Sequence, residues 1–167
     1  LFTTALGIRI AYVVFIYVFY LLMTDKPFEF EARDSEGYHN EAVWIVDMVE
    51  SGTIGYYFNE YLKGVSDSGF PLWLSVIYYF SAKSILVARL VNAVVSAWMV
   101  VLLYKIARRN FGEAAGRISA ILAMLLPTLI YYCGLHNKET VMVFLLLAFV
   151  ERADFFVRQR TIKTWNL

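Results

Sequence analysis

Long apolar runs, separated by short charged segments, dominate the chain. A helix needs about 20 mostly apolar residues to cross a hydrocarbon core of about 30 Å. Four stretches approach that length, at about 10–28, 84–106, 114–132 and 140–157. The first is strongest from Ile10 to Met23 and continues toward Phe28, with Arg9 read as its inner end. Pro127 interrupts the third, and because proline removes a backbone donor and clashes with the preceding turn it predicts a kink there. The expected fold is an all-α integral membrane protein, a single module over 1–167 with about four transmembrane helices. A long, partly helical outer loop over 25–83 is expected between the first and second spans.

That loop has a pattern of its own. In Tyr38–Val49 the apolar residues Tyr38, Ala42, Val43, Ile45, Val46 and Val49 recur at helical spacing, with Asn40, Glu41 and Asp47 between them. Ser35 is a candidate cap before this helix and Gly52 a candidate breaker after it. Pro71–Phe80 is aromatic, apolar and too short to cross a bilayer. It is expected to lie in the interface, with Trp73, Tyr78 and Tyr79 near the headgroups.

Composition strengthens the membrane reading: of 167 residues 60% are hydrophobic and only 17% charged, and the mean hydropathy is +0.58. The net charge of +1 conceals an asymmetry. Asp25, Glu29, Glu31, Asp34, Glu36, Glu41, Asp47, Glu50, Glu60 and Asp67 crowd the loop, against Lys26, Arg33 and Lys63. Lys105, Arg108, Arg109 and Arg117 lie between the second and third spans, and Arg152, Arg158, Arg160 and Lys163 near the end. Basic residues in short connections stay cytoplasmic, so the acidic loop and the turn 133–139 are expected on the opposite, outer side. The bacterial inner membrane is preferred over the endoplasmic reticulum. Leu1–Ile8 lacks the charged start and cleavage site of a secretory signal, so the first run reads as a retained span, and the true start is expected to precede Leu1. Nucleic acid is not an expected partner, because no basic patch is interleaved with polar readers. The single Cys133 excludes an internal disulfide. No phosphate-cradling glycine loop or nucleophile elbow is present.

Candidate chemistry concentrates in two places. Asp34, Glu36 and His39 sit at the start of the loop helix, where the helix dipole favours a carboxylate. Such a group could take a proton from an acceptor hydroxyl or help hold a divalent cation, Mg²⁺ or Mn²⁺. The competing reading makes them capping residues on a solvated loop. The second cluster is Gly134-Leu135-His136-Asn137-Lys138-Glu139, a polar turn between apolar helices at the membrane rim. Ionisable groups at that depth are costly and tend to be functional, although Lys138 and Glu139 could simply mark a helix end. His39 and His136 could be metal ligands or hydrogen-bonded structure. Arg89, near the outer end of the second span, could snorkel to the interface or contact a lipid phosphate.

The order of these features resembles the amino-terminal half of the GT-C membrane glycosyltransferases, the group holding protein O-mannosyltransferases and aminoarabinose transferases. In that group the first span is followed by a large outer loop that opens with an Asp and has a Tyr four residues on, as Asp34 and Tyr38 do here. Ala42, the turn Glu50-Ser51-Gly52, Gly69-Phe70-Pro71-Leu72-Trp73, Val87-Ala88-Arg89-Leu90-Val91-Asn92 and Lys138-Glu139 are similar to further family positions. The resemblance implies a polyprenyl-phosphate sugar as donor and transfer with inversion. It makes Asp34 the catalytic carboxylate, Glu36 a weaker second acid because Ser35 intervenes, and Glu139 the second-site acid. Arg89 or Lys138 would contact the lipid phosphate, with Tyr38, His39 and His136 as substrate-binding candidates. Any metal would fall to Asp34 and Glu139. Family members continue through further spans, so the remainder of a longer chain or further membrane subunits are expected partners besides membrane lipid. A non-catalytic four-span subunit that binds lipid or packs in a larger complex is the alternative. A small transporter or channel component fits less well, because the spans carry few interior charges and no paired broken helices.

Overall fold

The computed structural model describes residues 1–30, 32–61 and 68–158. Glu31, Lys63, Asp67, Arg160 and Lys163 fall outside these, as do the side chains of Glu60 and Arg158. The described chain is helical, with no strand: α1 Phe2–Thr24, α2 Arg33–Glu50, α3 Ile54–Tyr56 running into a wider turn Tyr57–Tyr61, and α4 Gly69–Ser81. The elements that follow are α5 Ile85–Phe111, α6 Glu113–Leu125, α7 Pro127–Gly134 and α8 Glu139–Arg158.

Two helices, α1 and α5, are long and apolar enough to cross a membrane, and α6 with α7 makes a third if the bent pair is one span. The fourth expected span is one helix, but α8 carries Glu151, Arg152 and Asp154 and does not join that set. The first span also differs from expectation. It starts at Phe2, so Arg9 lies inside α1 and is fully buried rather than marking an inner end. Lipid is as apolar as a leucine side chain, so helices in a bilayer gain from close backbone approach rather than from hydrophobic burial. Small residues supply that approach. Ala5, Ala97, Ala120 and Ala123 pack α1, α5 and α6 together with Val100, while Val13, Ala93 and Cys133 join α1, α5 and α7. A Cβ on Gly134 would stand 2.6 Å from the Tyr12 ring of α1, so any larger residue at this crossing would force that ring to shift.

The expected kink at Pro127 is present: α6 and α7 meet at 48°. Proline has no N–H to return to the carbonyl four residues back, which is that of Ala123. Arg9 fills the gap. Its Nη2 donates to Ala123 O at 3.2 Å, Nε to Ser96 Oγ at 2.7 Å and Nη1 to Ala5 O at 3.2 Å. Ser96 in turn donates to Leu129 O at 3.4 Å, on the far side of the bend. A broken backbone at membrane depth is tolerated where other groups re-satisfy it, and here one guanidinium does so. At the Phe111 end of α5, Arg109 donates to Glu151 Oε1 at 2.6 Å and Asp154 Oδ2 at 2.8 Å, fastening α5 to α8.

The segment between the first two spans is built of helices. The periodicity of Tyr38–Val49 does form a helix, but α2 starts at Arg33, a turn and more earlier. Ser35 is therefore inside the first turn and buried, not a cap; Ala32 occupies the cap position. Gly52 ends the helix as expected, with φ at +72°, Gly52 N–H bonding Val49 O and Thr53 N–H bonding Met48 O. Ala42 and Val46 of α2 pack on Phe70, Leu74 and Tyr78 of α4, and Ala88 of α5 joins them. Trp73 and Tyr79 are exposed, whereas Tyr78 is fully buried.

Candidate functional site

The α2–α4 layer closes over the Ile85 end of α5, where the polar residues of the spans collect. Ser84 caps α5, its side chain accepting from Val87 N–H. Arg89 follows in the second turn and is fully buried. None of its Nε, Nη1 and Nη2 has a hydrogen-bond partner. Among the described residues its one opposing charge is Glu29 Oε2 at 3.7 Å, beyond the range of a charge-assisted hydrogen bond. Asn92 lies three residues on, on the same helical face, fully buried with both amide atoms unpartnered. Glu29 Oε2, His136 Nδ1, Glu139 Oε2 and Thr140 Oγ1 are also buried without partners. Buried polar groups are almost always hydrogen-bonded, so this concentration of orphans is the feature that sets the region apart.

A relay runs beside it. Tyr78 Oη is 2.8 Å from His39 Nδ1 and 2.9 Å from His136 Nε2, so the hydroxyl donates to one imidazole and accepts from the other. The Tyr78 and His136 rings stack, with centroids 5.9 Å apart, and Phe28 sets an edge against both histidines. Burial pushes His136 down to about 3, helped by the nearby charge of Arg89 and by His39. Burial lowers His39 as well, against the opposing pull of Glu36, and raises Tyr78. All three are neutral at pH 7. The relay is therefore a chain of neutral hydrogen-bonding groups, with His136 Nδ1 left buried and unpartnered at its end.

The two acidic segments singled out in the sequence are tied together by their neighbours. The Ser35 hydroxyl donates to Glu29 Oε1 and to Asn137 Oδ1 (2.9 Å), its one hydrogen shared between them. Asp34, one residue earlier, is exposed. Glu36 pairs with Lys26 at 3.3 Å. Both line a cavity of ≈ 340 Å³ with Thr24, Phe28, Glu29 and Arg33, which Asp34 does not line. Tyr38 sets its ring edge-on to Phe70, itself in edge contact with His136. Glu139 opens α8, and Lys138 precedes it, both half-buried. Among the described residues no three His, Cys, Asp or Glu side chains come together as a metal cage. Sequence reasoning missed Glu29, Ser35, Asn92 and Tyr78 as parts of this region. A polar residue three positions after Arg89 on an otherwise apolar span was a usable signal for Asn92; Glu29 had none, being one acid among many.

Two helices, or three with the bent pair, long and apolar enough to cross a membrane, and a buried polar cluster near one end of α5 give the chain the character of a helical membrane protein. A family model described as dolichyl-phosphate-mannose-protein mannosyltransferase matches residues 69–167, more than half of the chain, and the chain belongs to that family. The matched region opens with α4 and takes in Tyr78, Arg89, Asn92, His136, Lys138 and Glu139. Membership supports a membrane glycosyltransferase of the GT-C type and does not favour the non-catalytic subunit. No curated protein and no solved structure matches the chain.

Proposed function

We propose that the chain forms part of a glycosyltransferase that moves a sugar from a polyprenyl-phosphate donor to an acceptor on the outer or lumenal face of the membrane. The observation that carries this reading is the guanidinium of Arg89, buried and without a hydrogen bond at the end of an apolar helix. Arginine matches phosphate geometry with paired N–H donors, and a prenyl chain would lie in the bilayer while its phosphate reaches Arg89. Lys138 is the second cation of this phosphate site. Asp34 takes the proton of the acceptor hydroxyl as that oxygen attacks the anomeric carbon. The bond from this carbon to the phosphate oxygen breaks, its electron pair leaves with the polyprenyl phosphate, and the configuration inverts. Glu139 is the second-site acid, and Glu36 a lesser one already paired with Lys26. Tyr38, His39 and His136 contribute aromatic and neutral hydrogen-bonding surface for the sugar.

In this reading α1, α5, the α6–α7 pair and α8 are the four spans, with α2 and α4 on the outer face. The basic residues 105–117 and the tail then face the cytoplasm, and the bacterial inner membrane is the preferred setting. Exposure of Asp34 suits a base that must meet an acceptor arriving from water, while its neighbour Ser35 is fastened to Glu29 and Asn137. Asp34→Asn is expected to lower sugar transfer from a polyprenyl-phosphate donor in membranes by at least about 10²-fold, the usual worth of a positioned acid or base. Its exposure predicts unchanged thermal stability. A fully active, folded Asp34→Asn protein would remove Asp34 from the chemistry.

A further inference from the structure

Arg89, buried and without a hydrogen bond, has Glu29 as its neighbouring carboxylate. This carboxylate faces two ways. Its Oε2 is, among the described residues, the opposing charge nearest Arg89, at 3.7 Å, while its Oε1 accepts from Ser35 on α2. The same side chain lines the ≈ 340 Å³ cavity with Lys26, Arg33 and Glu36. Elsewhere in the chain an arginine meant to be permanently paired is closely bonded, as Arg109 is to Glu151 at 2.6 Å and Asp154 at 2.8 Å. The Glu29–Arg89 contact has the charge complementarity of such a pair without its hydrogen bonds. Glu29 also lies in the non-helical link between α1 and α2, where a backbone shift disturbs no helix.

We propose that Glu29 is a displaceable internal counter-ion: it holds the anion position at Arg89 in the free protein and yields it to the phosphate of a prenyl-phosphate ligand. The proposal rests on the donor class argued above and adds the residue that controls access to it. The exchange conserves charge for a sugar-phosphate diester, which like Glu29 carries one negative charge. After transfer the product is a prenyl phosphate monoester, and the returning carboxylate competes with it for Arg89, favouring release. Arg89 gains bonded oxygens in the bound state that the Glu29 carboxylate does not supply, so the replacement is favourable although the charge is unchanged.

The test uses the intact full-length protein in lipid nanodiscs, with farnesyl phosphate as ligand and farnesol and inorganic phosphate as controls. Glu29→Gln is expected to bind farnesyl phosphate about tenfold more tightly than wild type, as when an internal competitor holds all but a tenth of the sites. Its melting temperature without ligand should fall below wild type, and the gap should close at saturating farnesyl phosphate. Glu29→Asp, with a shorter reach, should fold and give a smaller gain of the same sign, and it keeps the test alive if Glu29→Gln does not fold. Equal or weaker binding by both Glu29 variants, with Arg89→Gln losing binding, would overturn the counter-ion role while leaving the phosphate site intact. Wild-type binding by Arg89→Gln would instead overturn the donor reading, and the proposal with it. Binding of inorganic phosphate equal to that of farnesyl phosphate would overturn the prenyl class of ligand.

Discussion

Arg9 and Arg89 are both fully buried in apolar helices, yet their surroundings are opposite. Among the described residues Arg9 has no carboxylate beside it, and all three of its guanidinium nitrogens donate to protein oxygens, two of them backbone carbonyls. Arg89 has a carboxylate nearby and no hydrogen bond at all. A buried cation is tolerated when its N–H groups are satisfied, whether or not a formal anion is present. Arg9 meets that condition and reads as a structural element that replaces the donor Pro127 lacks. Among the described residues Arg89 does not meet it. The contrast separates a charge whose hydrogen bonds complete the fold from one that the described residues leave without hydrogen bonds.

The largest effect that could break this contrast is on stability at Arg9. Arg9→Met should destabilise the protein by about 3 kcal/mol, since the buried oxygens of Ala123, Ala5 and Ser96 lose their donor. Pro127→Ala supplies a backbone N–H to Ala123 O, so the double variant should recover about 1 kcal/mol of that loss. Chemical denaturation in a bilayer mimetic measures both. Strict additivity of the two substitutions would show that Arg9 and Pro127 act independently. Arg89→Met loses no made hydrogen bond, so its cost should come only from leaving Glu29 without a counter-charge and should stay below that of Arg9→Met; a cost equal to that of Arg9→Met would erase the distinction.

A smaller effect follows from the relay beside Arg89. His136 is held near 3 in the folded protein, below the ordinary value of about 6.5 for an unfolded chain. Between those values the unfolded state binds the extra proton, so stability is full above about pH 6.5 and falls as pH drops toward 3. At pH 5 the loss attributable to His136 should be about 2 kcal/mol. His39 is lowered too and adds to the same trend. Melting temperatures from pH 7.5 to 5 for wild type and His136→Gln measure this, and an identical slope for both would show that His136 is not the sensor.

Much of this organisation is written in local pattern. The apolar runs locate α1, α5 and the α6–α7 pair, Pro127 marks the bend, and the period of Tyr38–Val49 with Gly52 marks the body and end of α2. These features depend on residues close in sequence. What local pattern does not carry is which polar side chain meets which. Ser35 has the chemistry of a helix cap, but its partners Glu29 and Asn137 lie on separate connections and draw it inward. Arg9 resembles a flanking charge at the start of an apolar run, and only its long-range bonds to Ser96 and Ala123 explain its burial. Tyr78 reads as one more interfacial aromatic until two histidines distant in sequence are seen on its hydroxyl. Arg89 was legible as an intramembrane charge, and its lack of hydrogen bonds was not.

The most direct measurement of the central claim compares the affinity of the intact protein in nanodiscs for farnesyl phosphate in wild type, Arg89→Gln and Arg9→Gln, each at a temperature where it is folded. The account predicts that Arg89→Gln loses at least about tenfold, the worth of one charge-assisted phosphate contact, while folded Arg9→Gln binds as wild type does. Unchanged binding by Arg89→Gln, or equal losses in the two variants, would contradict it.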